Sequence, residues 1–203
     1  MKISEQIQCT DFPCTDTDKN SYILPPVDIN VDKIKILMIT EAPPNEKADY
    51  FYADGNPFYL QTTVQAFKDA GADVASMQDI LDLGVYITTA IKCGKTQYAI
   101  STDTMKNCSK LLEKEIALFP NVKVFMLMGD VAIKMMNDIW KKQSGKKVIP
   151  AGSTYKIRGQ AYSFEGKRIF PSYTPAGKNF LIEKSKRRMV AEDIREALKC
   201  VKS

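Results

Sequence analysis

The 203-residue sequence contains no histidine. Any metal it binds must therefore use thiolate, carboxylate, carbonyl or amide ligands. No run of about 18 apolar residues occurs, which excludes a transmembrane helix on length and leaves no membrane partner. The first residues, MKISEQIQCTDFPC, lack the apolar stretch of a signal peptide. A cytoplasmic location is expected, where disulfides are disfavoured and paired cysteines more often signal metal or redox chemistry. Internal repeats and low-complexity tracts are absent. The charge imbalance is also small: a net +5 permits nucleic-acid binding without demanding it.

What is present is ordinary for a folded chain, with 44% apolar and 26% charged residues. That length predicts one domain, placed at residues 31–203, and the expected state is a monomer. Residues 1–30 are polar, carry Asp16, Asp18, Pro25 and Pro26, and read as an irregular arm. Four of the five cysteines are suggestively placed. Cys9 and Cys14 lie in the arm, Cys93 closes the run VYITTAIKC, and Cys108 lies one turn into DTMKNCSKLLEKEI. Four thiolates suit an iron–sulfur cluster or a structural zinc, and the plainer alternative is free thiols without metal. Cys200, on the final amphipathic helix, reads as a core or surface thiol.

Strand and helix signals alternate along the chain. IKILMIT (34–40), VYITTAI (85–91), VKVFMLM (122–128) and RIFPSY (168–173) are the strand candidates. Their continuous apolar character fits strands covered on both faces. Leu60, Val64, Phe67 and Ala70 recur at helical spacing up to Gly71. Met105, Cys108, Leu112, Ile116 and Phe119 do so after a Ser101–Asp103 cap. A further helix runs to about Trp140, and the last carries Met189, Val190, Ile194, Ala197 and Val201 on one face. Residues 155–164 alternate like a strand and turn at Glu165-Gly166. The fold class predicted is α/β, a three-layer α/β/α sandwich with a four-stranded, mostly parallel sheet. Sites in such sheets form at the carboxyl ends of strands, so the loops 40–58, 88–98, 129–130 and 172–179 are the ones to watch.

Five segments then carry a resemblance. ITEAPP (39–44), DGNPFY (54–59), YITTAIKC (86–93), VFMLMGDVAIK (124–134) and PSYTPAGKNF (171–180) resemble, in order and spacing, motifs of the uracil-DNA glycosylase superfamily. The iron–sulfur (family 4) branch is the most similar, and the likeness covers roughly residues 34–195. The resemblance implies a DNA base-excision N-glycosylase acting on uracil or another deaminated or damaged base. A glycosylase flips its base out, stacks it, reads its edge and stabilises the departing anion. By the motif positions, Glu41 would position water, Ala42 and Phe58 would contact the base, Phe58 by stacking, and Thr89 would meet its edge. Thr174 would sit beside the leaving group. Thr89 stands where the family has asparagine and Thr174 where it has histidine, so a single neutral hydroxyl replaces each. The loop Pro175, Gly177 and Lys178, with Lys186 and Arg187 of the run 184–188, would contact single- or double-stranded DNA. Lys141, Lys142, Lys146 and Lys147 read first as a surface loop. Cys9, Cys14, Cys93 and Cys108 would hold a [4Fe-4S] cluster, although Cys9 and Cys14 are separated by four residues where the family has two. Two other readings stay open: a non-catalytic superfamily member that binds DNA, nucleotide or nucleobase, and a small-molecule hydrolase or transferase on the same scaffold.

Overall fold

The computed structural model describes residues 1–202, the side chains of Lys178 and Asn179 excepted. Its helices and strands run, in chain order, α1 (Ile3–Gln6), β1 (Thr17–Asp18), β2 (Ile36–Thr40), α2 (Phe58–Asp69), α3 (Met77–Asp82), β3 (Val85–Thr89), β4 (Gly94–Lys95) and α4 (Thr102–Ile116). They continue as β5 (Val124–Met128), α5 (Asp130–Ser144), α6 (Thr154–Ile157), β6 (Tyr162–Phe164), β7 (Lys167–Ser172), α7 (Lys178–Ile182) and α8 (Lys184–Lys202).

The main sheet has the order β3-β2-β5-β7-β6. Its first four strands are parallel, and β6 pairs antiparallel with β7. Every residue of β2, β3 and β5 is buried, as expected of parallel strands covered on both faces. Helices α2 and α8 pack together, with α8 against β2, β5 and β7; α4 and α5 pack together, with α5 against β2 and β5. The architecture is the three-layer α/β/α sandwich expected, with five strands in place of four. The extra strand exists because Glu165 and Gly166 both take positive φ, 48° and 76°, and fold Tyr162–Phe164 back onto β7. The alternation at 155–164 is therefore half strand. Its first part is the helix α6, followed by Arg158, whose guanidinium bonds Asp193, Glu192 and the Met189 carbonyl of α8.

The first thirty residues bury Ile3, Ile7, Leu24 and Ile29 in the same core as the sheet. They also form a separate two-stranded ribbon, β1 against β4, with Thr17 opposite Lys95 and Asp18 opposite Gly94. Asp16 pins this ribbon to α4 by accepting from the Ser101 amide at 2.6 Å and from the Thr104 hydroxyl.

Candidate functional site

The parallel strands bring Glu41, Thr89, Gly129 and Thr174 to one end of the sheet. Glu41 follows β2, Thr89 ends β3 opposite Thr40, Gly129 follows β5, and Thr174 lies two residues beyond β7. Glu41 is partly exposed, and its Oε1 accepts from the Val131 amide at 3.3 Å, in the first turn of α5. A carboxylate there is favoured by unpaired amides and by the helix dipole. Lys95 Nζ stands 3.7 Å from the other oxygen, Oε2. Gly129 makes room for this arrangement. A Cβ at that position would lie 2.7 Å from Glu41 Oε1, and its φ of +107° is one that side-chain-bearing residues rarely adopt.

The two threonines differ. Thr174 is half-buried, and its hydroxyl donates to the Met128 carbonyl at 2.9 Å. Thr89 is wholly buried, and its hydroxyl has no partner. Strand alternation turns Thr89 away from Thr88, whose hydroxyl donates to Glu115 at 2.8 Å. Phe58 is half-exposed at the start of α2, and its amide donates to Asp49 Oδ1 at 3.5 Å. Ala42 is partly buried in the loop after Glu41, packed against the core. Next to Phe58, Tyr59 packs edge-on to Phe51 at 5.4 Å. Burial, with the nearby charges of Asp49 and Glu41, pushes its phenol above the ordinary range. Tyr59 and Asp49 thus border the site, and neither stands out in the sequence. Pro175 is buried and Gly177 partly so; the Gly177 amide donates to Thr62 Oγ1 of α2 at 3.2 Å.

The four cysteines singled out in the sequence line one small pocket, with Phe12, Tyr22 and Leu111 among its apolar walls. Two devices shape the arm side of it. Phe12 takes a left-handed φ of 42°, which turns the chain between Cys9 and Cys14. The Cys9 amide donates to Tyr22 Oη at 3.1 Å, and Phe12 meets the Tyr22 ring edge-on at 5.2 Å. Burial pushes the Cys93 thiol up to about 12, with Cys108, Cys9 and Cys14 adding to it; burial likewise raises Cys108 to about 11. No three His, Cys, Asp or Glu side chains among the described residues gather at the spacing of one metal ion's ligands. The lining nonetheless brings four thiols together, and four thiolates are the set an iron–sulfur cluster takes. Cys200 is exposed on α8, apart from this pocket.

Beneath the pocket, Lys92 and Glu115 are each 1% exposed and form an ion pair. Lys92 also donates to Thr88 Oγ1 at 2.9 Å and to the Thr89 carbonyl, and Tyr86 Oη donates to Glu115 at 2.6 Å. The basic run 184–188 is largely engaged within the protein. Arg187 forms a two-pronged pair with Asp69 of α2, and Lys186 pairs with Glu183 at 2.7 Å and lies 5.3 Å from the Tyr173 ring centroid. The side chain of Lys178 lies outside the described residues.

The family model of the uracil DNA glycosylase superfamily matches residues 26–199. The chain belongs to this superfamily. Among curated relatives of the superfamily member described here is the type-5 uracil-DNA glycosylase of Thermus thermophilus, 24% identical over 119 residues. Those residues are 59% of this chain and 52% of that relative, so the chain matches about half the relative's length. That relative bears the name of a different branch from the one the cysteine segments resemble. The crystal structure of wild-type UNG from Nitratifractor salsuginis aligns with 84% of this chain and 75% of its own at 11% identity, with a TM-score of 0.39. Among the described residues no helix is long and apolar enough to cross a membrane.

For this glycosylase-superfamily chain, sequence reading flagged the loops that hold Lys95 and Gly129 but not those residues themselves. The signal for Gly129 was there, a lone glycine between a buried strand and an amphipathic helix. Lys95 carries no such mark, because its contact with Glu41 joins two loops 54 positions apart.

Proposed function

We propose that this protein is a DNA base-excision N-glycosylase acting on uracil or another deaminated base. The supporting observation is the Glu41 carboxylate, held at the carboxyl end of β2 between the Val131 amide and Lys95, over a glycine that leaves it room. In such a reaction the bond from sugar C1′ to the base nitrogen breaks, and its electron pair leaves with the base. Glu41 would orient a water toward C1′, accept its proton and stabilise the cationic sugar by its charge. Phe58, half-exposed at the start of α2, would stack the extruded base, and Thr89 would offer its unpartnered hydroxyl to the base edge. The loop Pro175–Gly177, tied to α2 through Thr62, would lie against DNA. Lys186 and Arg187 would contribute local positive charge; their carboxylate partners make them weaker phosphate ligands than free cations.

In the same reading, Cys9, Cys14, Cys93 and Cys108 hold a [4Fe-4S] cluster. It would tie the first thirty residues to β3 and α4 and take no part in the bond-breaking step. The convergence of these four thiols on one pocket supports this.

A second reading has one observation in its favour. Thr174, at the leaving-group position, already spends its hydroxyl on the Met128 carbonyl. A superfamily member without a leaving-group donor would bind DNA or a nucleobase without cleaving it. Excision from oligonucleotides carrying uracil, hypoxanthine or xanthine separates the two. Alkali-labile abasic sites that vanish with Glu41→Gln support the glycosylase. Salt-sensitive binding without cleavage, from protein with its iron assayed, supports the binder.

A further inference from the structure

The glycosylase reading leaves one chemical role unfilled, the donor that meets negative charge on the departing base. Neutral donors near the strand ends are committed or weak. Thr174 donates to Met128, and the buried Ser172 hydroxyl donates to Asp193 at 2.5 Å. Thr89 offers a single uncharged hydroxyl. Two lysines with described side chains stand near the strand ends, and of these Lys92 is sealed in the core by Glu115, Thr88 and the Thr89 carbonyl. The other is Lys95. Its ammonium lies 3.7 Å from Glu41 Oε2 and 3.5 Å from the Tyr98 carbonyl, and its side chain is 32% exposed.

We propose that Lys95 is a catalytic residue whose ammonium receives the charge of the departing base, a role that the committed Thr174 hydroxyl leaves open. This rests on the glycosylase reading and adds to it the residue that completes the reaction. The C1′–N bond breaks with its electron pair passing to the base. Water oxygen bonds to C1′, and its proton passes to Glu41. Lys95 hydrogen-bonds the base anion with its positive charge; the base takes its proton from solvent water, and Glu41 passes the proton it accepted to the hydroxide left behind. The sum is base–sugar plus water giving free base and abasic sugar, with both side chains restored. No histidine is needed.

The backbone around Lys95 is built to hold it. Lys95 is paired with Thr17 across the small ribbon, the Gly94 amide donates to Ser21 Oγ at 2.6 Å, and the Thr96 amide donates to the Asp16 carbonyl at 3.2 Å. Gly94 is wedged so closely that a Cβ there would collide with Asn45 Oδ1. The ammonium itself is not locked. An ion pair this exposed contributes little to stability, so substrate can part it from Glu41 at little cost.

The test is single-turnover release of uracil and of 5-fluorouracil from matched oligonucleotides. Fluorine withdraws electrons, so the fluorinated base departs as the more stable anion and needs a donor less. Lys95→Met is expected to slow uracil release on the order of 100- to 1,000-fold and 5-fluorouracil release much less, with Lys95→Arg recovering part of the loss. Thermal unfolding of the three proteins establishes that the fold is intact. Equal losses on both bases would mean that Lys95 merely orients Glu41, and the proposal is then wrong. An unchanged rate would sink it as well. A wild-type protein that releases neither these two bases nor hypoxanthine or xanthine refutes the glycosylase reading itself, which the variant comparison alone cannot do.

Discussion

Replacing Lys92 by methionine should be strongly damaging to this fold. The side chain is about the right length for the cavity, so the loss is electrostatic. Glu115, 1% exposed, would keep the Tyr86 and Thr88 hydroxyls at 2.6 and 2.8 Å but lose its cation. Removing one partner of a buried pair typically costs about 3–5 kcal/mol. For a domain of this size each kcal/mol moves the melting point by about 2–4 °C, so the drop should be roughly 6–20 °C. Glu115→Gln in the same chain removes the stranded charge while its amide oxygen still accepts from Tyr86. The double variant should therefore recover most of the loss, with a coupling of about 2–3 kcal/mol. Urea unfolding followed through Trp140, the single and buried tryptophan, measures all four proteins of the cycle at equal iron content. A single variant that loses less than about 1 kcal/mol, or a double variant no better than the sum of the singles, would refute the reasoning.

Gly129→Ala should lower stability by about 1–3 kcal/mol through its positive φ, and should cut base release by displacing Glu41; a melting curve beside a cleavage assay reads both. If only stability falls, Glu41 does not depend on that clearance. Cys14→Ser should abolish iron-derived visible absorbance, whereas Cys200→Ser, on the exposed face of α8, should leave it intact. The Arg187 hydrogen bonds, aided by Gln65, hold the Asp69 carboxyl below its ordinary value. Its stabilisation is present above the unfolded value of about 3.9 and is lost as pH falls toward the lower folded value. Arg187→Met should thus be less stable than wild type near neutrality, and the gap in urea midpoints should close in acid. A gap that persists unchanged in acid would assign the effect to packing against Phe180 instead.

The sheet was largely legible because β2, β3 and β5 are short runs of apolar, mostly β-branched or unbranched residues covered on both faces, and such runs announce themselves. The fifth strand was read too long and left out of the sheet: the alternation from 155 and the Glu165-Gly166 turn marked Tyr162–Phe164, but the same alternation ran back over residues that form α6. Helix α3 was missed although Ser76 and Asp79 spell a capping box, with each side chain bonded to the other's backbone amide. The positions of Glu41 and Thr174 at one sheet end followed from motif order alone. Their chemistry did not. Whether Thr174 can donate depends on the Met128 carbonyl 46 residues away, and whether Arg187 is free depends on Asp69 at a separation of 118. Such pairings are properties of the folded chain, and no local pattern encodes them.

The pocket of four thiols also sets a timetable. Cys9 and Cys14 meet Cys93 and Cys108 only because Asp16 and Ser21 reach across 73 to 88 residues to Gly94, Ser101 and Thr104. A ribosome adding about 5–20 residues per second needs roughly 5–20 s to travel from Cys14 to Cys108. For that interval the first two cysteines are exposed on a nascent chain that cannot yet close around anything. The pocket can therefore close only once β2, β3 and the first half of α4 have been made, while β5, β6 and β7 are still to come.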